Sequence, residues 1–177
     1  MAFSSKQRKV FAGIATGAIV TAAIVALGIV LNPFAYRADS DVALRLTLAA
    51  KASLVPALFV TVAVARLARH RFLTPADIDG GGLSEGSSRA RLLQALLQNT
   101  LEQAVLASVV YVGWALLVPG SWLSVLPLAA LAFAVGRLAF FAGYGRGAPG
   151  RAVGFALTFY PTVVMLVILL GHLLPTA

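Results

Sequence analysis

The chain has 177 residues and a formal net charge of +8, with 60% of its residues hydrophobic and only 11% charged. Soluble domains carry about 25% charged residues, so there is too little polar surface to cover a water-soluble globule, and lipid is the expected solvent for most of the chain. Cysteine is absent, which excludes disulfides, thiolate metal sites and a cysteine nucleophile; no basic stretch with interleaved aromatics stands apart from the apolar runs, so no nucleic-acid partner is expected.

The first apolar run, Val10–Leu31, holds 22 residues without a charge, enough to span a bilayer at about 20 residues. Lys6, Arg8 and Lys9 precede it. It is longer than a signal-peptide core, and no clear small-residue cleavage site follows, so a retained helix is expected. Gly13 and Gly17 form a G-x-x-x-G pair, the spacing that lets a second helix approach closely; it is equally readable as two glycines in a small-residue-rich span.

Asn32–Arg45 is polar and reads as a loop. A second span runs roughly from Leu46 to Leu67, with Lys51 one turn inside its start and Pro56 at a place where a kink is expected. Ala68–Ser88 is the longest polar stretch. Its Asp77-x-Asp79-Gly80-Gly81-Gly82 hints at a calcium loop, but the later ligands of that motif are missing, so a turn is the better reading. Ser87 or Ser88 is placed to cap the next helix.

The third span covers roughly Leu92–Val118 and is ended by Pro119 and Gly120. The fourth starts near Trp122 and reaches about Tyr144. The short connection makes these two an antiparallel hairpin. Gly145–Gly150 reads as a tight basic turn. Arg151 then opens a fifth span that ends near Leu174, before Pro175.

The fold class expected is therefore an all-α integral membrane protein, one domain over 1–177, with about five transmembrane helices. With the N-terminus on the cytoplasmic side, Lys6, Arg8, Lys9, Arg66, Arg69, Arg71, Arg89, Arg91, Arg137, Arg146 and Arg151 fall on one side, eleven of the 14 basic residues. The positive-inside rule is then satisfied.

Ionisable side chains inside a span are costly and mark functional candidates. Glu102 is the only acid in the five apolar segments, about three turns into the third helix. At about 100° per residue, Arg91, Gln94, Gln98 and Glu102 share a face, with Asn99 at its edge. Such a stripe must face other protein or a water-filled cleft. Either a helix–helix hydrogen-bond ladder or a binding site explains it. A second constellation ends the fourth helix. Arg137 and Tyr144, seven residues apart, share a face, and Arg146 and Arg151 follow at the same membrane side. Cations and one acid so gathered suit a ligand bearing both carboxylates and an amine. Arginines at cytoplasmic helix ends are also routine topological anchors.

Leu97-Gln98-Asn99-Thr100-Leu101-Glu102-Gln103 resembles the Asn-x-x-Glu signature of the MAPEG family of membrane-embedded, glutathione-dependent proteins. Arg137-Leu138-Ala139-Phe140-Phe141-Ala142-Gly143-Tyr144-Gly145-Arg146, followed by Arg151, resembles that family's second motif. The resemblance covers roughly residues 46–174, a four-helix core, and makes the first helix (10–31) an addition to it. It implies homotrimers with glutathione as co-substrate, bound between neighbouring subunits near the cytoplasmic face. Carried over, Asn99 and Glu102 hold glutathione's polar backbone, with Glu102 receiving the amine. Arg137 contacts a carboxylate, Tyr144 lines the site together with Arg146, and Arg151 stabilises the thiolate. A thiol with a reference pKa near 8.5 is a better nucleophile at neutral pH when a cation stabilises its anion.

The sequence departs from the family pattern at three places: Ala95 where an arginine is usual, Phe140 where a tyrosine is usual, and Gln103 where an aromatic is often seen. Arg91, one turn before Ala95 on nearly the same face, is expected to reach down toward that place. The function implied is a glutathione-dependent transferase or peroxidase acting on lipophilic electrophiles that arrive from the bilayer. The alternative is a non-catalytic scaffold or binding protein of the same fold. A bacterial inner membrane is the expected location.

Overall fold

The computed structural model describes residues 3–173. Among them there is no strand, and five long α-helices follow in order. They are α1 (Ser5–Ala26, continued by a π-helical turn over Leu27–Leu31), α2 (Val42–Leu73), α3 (Ser88–Leu117), α4 (Val125–Gly143) and α5 (Gly147–His172). Four continuous helical stretches are long and apolar enough to cross a membrane, and the fourth, Gly120–His172, contains both α4 and α5. The count of five expected from the apolar runs thus becomes four uninterrupted stretches, the last folded back on itself. The fold-back is a 3-10 turn at Tyr144–Arg146, followed by Gly147 at φ 78°, a backbone region that glycine enters without steric penalty. The basic turn expected over 145–150 is therefore shorter, because 147–150 already belong to α5. The expected end of the fifth span at Leu174 and Pro175 lies outside the described residues.

The helices extend beyond the apolar runs. Ser4 and Gln7 form a capping box, with Gln7 N donating to Ser4 Oγ and Ser4 N to Gln7 Oε1. This satisfies two orphan amides, so Lys6, Arg8 and Lys9 lie inside α1 rather than before it. Asp41 caps α2 by accepting from Leu44 N at 2.7 Å. At its other end α2 continues through Arg66, Arg69 and Arg71 because arginine is a good helix former and hydropathy alone does not register that. Pro56 is buried within an unbroken helix. Ser87 caps α3 through Ala90 N at 3.1 Å. In the turn between α2 and α3, Asp77 accepts from both Ser87 N and Ser87 Oγ at 2.6 Å and meets His70 Nε2 at 2.9 Å. Asp77 is thus a staple between the turn and α3.

The helices pack as pairs, α2 with α3 and α4 with α5, with α1 laid along α5. The core is dominated by Trp114, Tyr111, Phe133, Leu126 and Met165, each at most 1% exposed. Gly13 and Gly17 are buried where α1 crosses α5. A methyl group at either would collide with Ala152 or Ala156. In lipid, where helices gain little by hiding apolar surface from one another, such close backbone contact supplies the attraction.

The end of the bundle bearing the 32–41 loop is closed by internal hydrogen bonds. Ser124 Oγ donates to Asn32 Oδ1 at 2.6 Å, and Asn32 Nδ2 donates to Tyr36 O at 2.8 Å. Arg45 Nη1 donates to the carbonyls of Ala115 and Val118, both at 2.8 Å, satisfying groups that the last turn of α3 leaves without partners. Trp114 Nε1 donates to Trp122 O at 3.1 Å.

Candidate functional site

The opposite end is built around one buried cation. Arg137, on α4, is 0% exposed. Its Nη1 donates to Asn99 Oδ1 on α3 at 3.0 Å, and its Nη2 to Thr158 Oγ1 on α5 at 2.6 Å. Its guanidinium lies 4.3 Å from the centre of the Phe140 ring and 5.8 Å from that of Phe133. A cation desolvated inside a bundle is tolerable when hydrogen-bonded and set against ring faces. Nε is the one nitrogen left without a partner. Arginine can only donate, so the Asn99 oxygen must face it, which leaves the Asn99 amide hydrogens for another acceptor.

Asn99 itself borders a cavity of about 450 Å³ that is lined also by Phe140, Tyr144, Arg151 and Tyr160, with Val10 and Ile14 contributed by α1. Arg151 lies 4.8 Å from the centre of the Tyr144 ring, and no acidic side chain lines the space. A guanidinium, an amide and a phenol around an otherwise apolar chamber suit an anion that carries its own apolar part.

Of the residues singled out from sequence, Asn99, Tyr144 and Arg151 therefore meet in one cavity. Arg137 stands behind them. The carboxylate contact implied for it is not what its position offers, since it does not line the cavity and each Nη already donates one bond inside the chain, to Asn99 and to Thr158. Phe140, where the family pattern has a tyrosine, is the ring under Arg137 and meets Tyr144 edge-on at 5.1 Å between centroids.

The others lie elsewhere. Glu102 is exposed and accepts from Gln98 Nε2 at 2.9 Å. Arg146 is exposed, with one long bond to Ala142 O at 3.5 Å. Arg91 donates to the carbonyls of Gly86 (2.6 Å) and Glu85 (3.3 Å) and to Ser88 Oγ (3.3 Å). It is turned back onto the preceding loop, so the expected reach toward Ala95 is corrected: unpaired loop carbonyls beside the helix start hold it. The cation touching that face is Arg71 of α2, whose Nη2 donates to Gln94 Oε1 at 3.2 Å. Arg71, Arg91, Gln94, Ala95 and Gln98 border a separate space of about 470 Å³. The polar face of Arg91, Gln94, Gln98 and Glu102 is exposed in the single chain and continues as Val105, Val109, Val112 and Leu116, also exposed. Among the described residues nothing covers it.

Asp77, in the turn beside this end, has its carboxyl held below the usual carboxylate range, chiefly by the Ser87 hydroxyl, then by the Ser87 amide and His70. Sequence reasoning missed Thr158, Tyr160 and the α1 wall. Thr158 had a signal: it is a hydroxyl in an apolar run, seven residues after Arg151 and so on the same face.

Comparison with known proteins yields no match to a curated protein or a solved structure. The model of the MAPEG family matches residues 44–171, from the start of α2 nearly to the end of α5 and without α1. Covering most of the chain, that match establishes that this membrane protein belongs to the MAPEG family.

Proposed function

We propose that the protein is a glutathione-dependent transferase or peroxidase acting on lipophilic electrophiles. The observation that carries the reading is the convergence of Asn99, Tyr144 and Arg151 on one cavity free of acidic side chains. Glutathione fits this donor set: it brings two carboxylates and a thiol that becomes an anion. Arg151 faces the cavity as the cation that keeps the thiol ionised near neutral pH. Asn99, its oxygen fixed by Arg137, presents N–H donors to the peptide. Arg137 is then a positioning residue rather than a direct ligand.

The electrophile is supplied from the bilayer side. A second, almost wholly apolar groove of about 590 Å³ runs between α1 and α5 and shares Ile14 and Tyr160 with the Arg151 cavity. A lipophilic molecule entering there meets the thiolate at its inner end. In the transferase reaction the thiolate forms a sulfur–carbon bond while the bond from that carbon to its leaving group breaks, and its electron pair departs with the leaving group as an anion.

Glu102 supports an assembly of several subunits. A carboxylate exposed about four turns into a 30-residue membrane helix needs covering by protein or water. In a homotrimer a neighbouring subunit covers it, and glutathione's amine in the site between them meets it. An inner-membrane location with the basic end cytoplasmic belongs to the same proposal.

A non-catalytic binding protein of the same fold is the second reading, favoured by position 95. No arginine stands there, Arg91 is turned away, and a lost charged hydrogen bond costs glutathione about 1.5–3 kcal/mol. The experiment is thermal unfolding of the detergent-purified protein across a glutathione titration, with Glu102→Gln and Arg151→Ala in parallel. Saturable stabilisation in the wild type that is lost in Glu102→Gln supports the site. Conjugation of an aryl halide that disappears in Arg151→Ala supports catalysis. Stabilisation without turnover selects the second reading, and no stabilisation at millimolar glutathione sinks both glutathione roles.

A further inference from the structure

We propose a binding site for a phosphate ester at the membrane interface, between the basic ends of α2 and α3 and separate from the Arg151 cavity. A small recess of about 190 Å³ is lined by Arg66, Arg69 and His70 of α2, Arg89 of α3, and a floor of Leu73 and Leu93. It is smaller than the usual 300–1,000 Å³ of a chamber for a drug-sized ligand and suits a headgroup.

Three observations point to an anion. First, none of Arg66, Arg69 and Arg89 makes a hydrogen bond or an ion pair among the described residues. Arg37, Arg45, Arg71, Arg91 and Arg137, by contrast, all donate to oxygens of the chain. Three guanidinium groups carry up to about fifteen N–H donors, and here they converge with nothing to accept them. Second, no acid lines the recess. Asp77 does not line it; this carboxylate is bonded to the Ser87 hydroxyl and to Nε2 of His70, one of the lining residues. Third, Arg66 is already held in place. Its guanidinium lies 5.3 Å from the centre of the Phe141 ring, which occupies its face and leaves its edge donors free.

Like charges brought together without a counter-charge repel one another, and a tetrahedral phosphate with several acceptor oxygens relieves this best through forked contacts. The recess lies between the basic end of α2 and the start of α3, where each helix passes out of its apolar run, and basic recesses between membrane helices on the cytoplasmic side bind anionic lipid headgroups. The leucine floor then meets the start of an acyl chain. A soluble phosphate ester has the same chemistry and approaches from the aqueous side.

Native mass spectrometry of the full-length protein in mixed micelles tests this. The probes are phosphatidylglycerol, phosphatidylcholine and inorganic phosphate. The wild type is expected to retain phosphatidylglycerol over phosphatidylcholine, and Arg66→Gln/Arg69→Gln/Arg89→Gln to bind it at least tenfold more weakly. Arg89→Gln alone, at an exposed helix start, gives a partial loss and guards against misfolding of the triple variant. Lys6→Gln/Arg8→Gln/Lys9→Gln removes as much charge from the same end outside the recess and is expected to leave retention unchanged. Displacement of lipid by millimolar phosphate identifies a soluble ester as able to fill the site; retention against phosphate identifies the lipid headgroup. Absence of any preference for the anionic lipid, or equal losses in the two triple variants, overturns the proposal.

Discussion

The two ends of the bundle use arginine in opposite ways. At the end with the 32–41 loop, Arg45 spends its donors on the carbonyls of Ala115 and Val118, and Ser124, Asn32 and Tyr36 complete a closed set of bonds. At the other end Arg151 faces a cavity, Arg66, Arg69 and Arg89 have no oxygen partners among the described residues, and even the buried Arg137 leaves Nε open. Hydrogen bonds satisfied inside the chain hold the fold, whereas the donors left over are the ones that the proposed function gives to a ligand. Sequence position and charge do not separate these uses; the location of acceptors does.

The sharpest way to break this division is Arg137→Ala. It removes a fully buried side chain and leaves Asn99 Oδ1 without its donor, while the Thr158 hydroxyl keeps its bond to Phe155 O, so a loss of about 3–5 kcal/mol is expected, read as a large drop in the midpoint of thermal unfolding in detergent. Because Asn99 loses its orientation, glutathione stabilisation must vanish as well. A variant that folds with undiminished glutathione binding removes Arg137 from the site.

Ser124→Ala probes the closed end. It removes the hydroxyl that donates to Asn32 Oδ1, which keeps the Tyr36 amide, and that accepts from the Phe34 amide, in half-buried surroundings, at about 0.5–1.5 kcal/mol. Its glutathione affinity should equal that of the wild type, measured as the ligand-induced shift relative to each protein's own midpoint. A changed affinity would show that the two ends are coupled.

The smallest effect concerns pH. The Asp77 carboxyl is held below its unfolded value of about 3.9, so its contribution is fully present above that pH and is lost as pH falls through the lower, folded value. Acid titration is expected to loosen the 74–87 turn below about pH 4, followed by amide exchange at Ala90, while Asp77→Asn shows the loosened turn already at neutral pH.

Most of the fold was legible because apolar runs near 20 residues are an unambiguous signal in lipid. The boundaries were less so: Arg66–Arg71 continue α2 although they end its apolar run, and the Ser4–Gln7 capping box starts α1 five residues before Val10. Within the site, Asn99, Tyr144 and Arg151 were singled out by resemblance to the family's two motifs, since spacing along each helix alone left a hydrogen-bond ladder and topological anchors as equal readings. The contact of Arg137 with Thr158 was not, since it joins α4 to α5 and depends on how the fold-back sets their register. Arg91 misled because helical spacing fixes where a side chain starts, while nearby carbonyls decided where its guanidinium went.

The seam between α1 and α5 bears on which molecules the Arg151 chamber admits. The family match begins at residue 44, and the added helix docks chiefly by laying Gly13 and Gly17 over Ala152 and Ala156. The contact asks for small residues at the crossing, Ala152 and Ala156 on α5, and for Gly28 where the π-helical turn meets Val125 of α4. Because Val10 and Ile14 of this helix form a wall of the Arg151 chamber, a change along its length alters which molecules fit without touching Asn99, Tyr144 or Arg151.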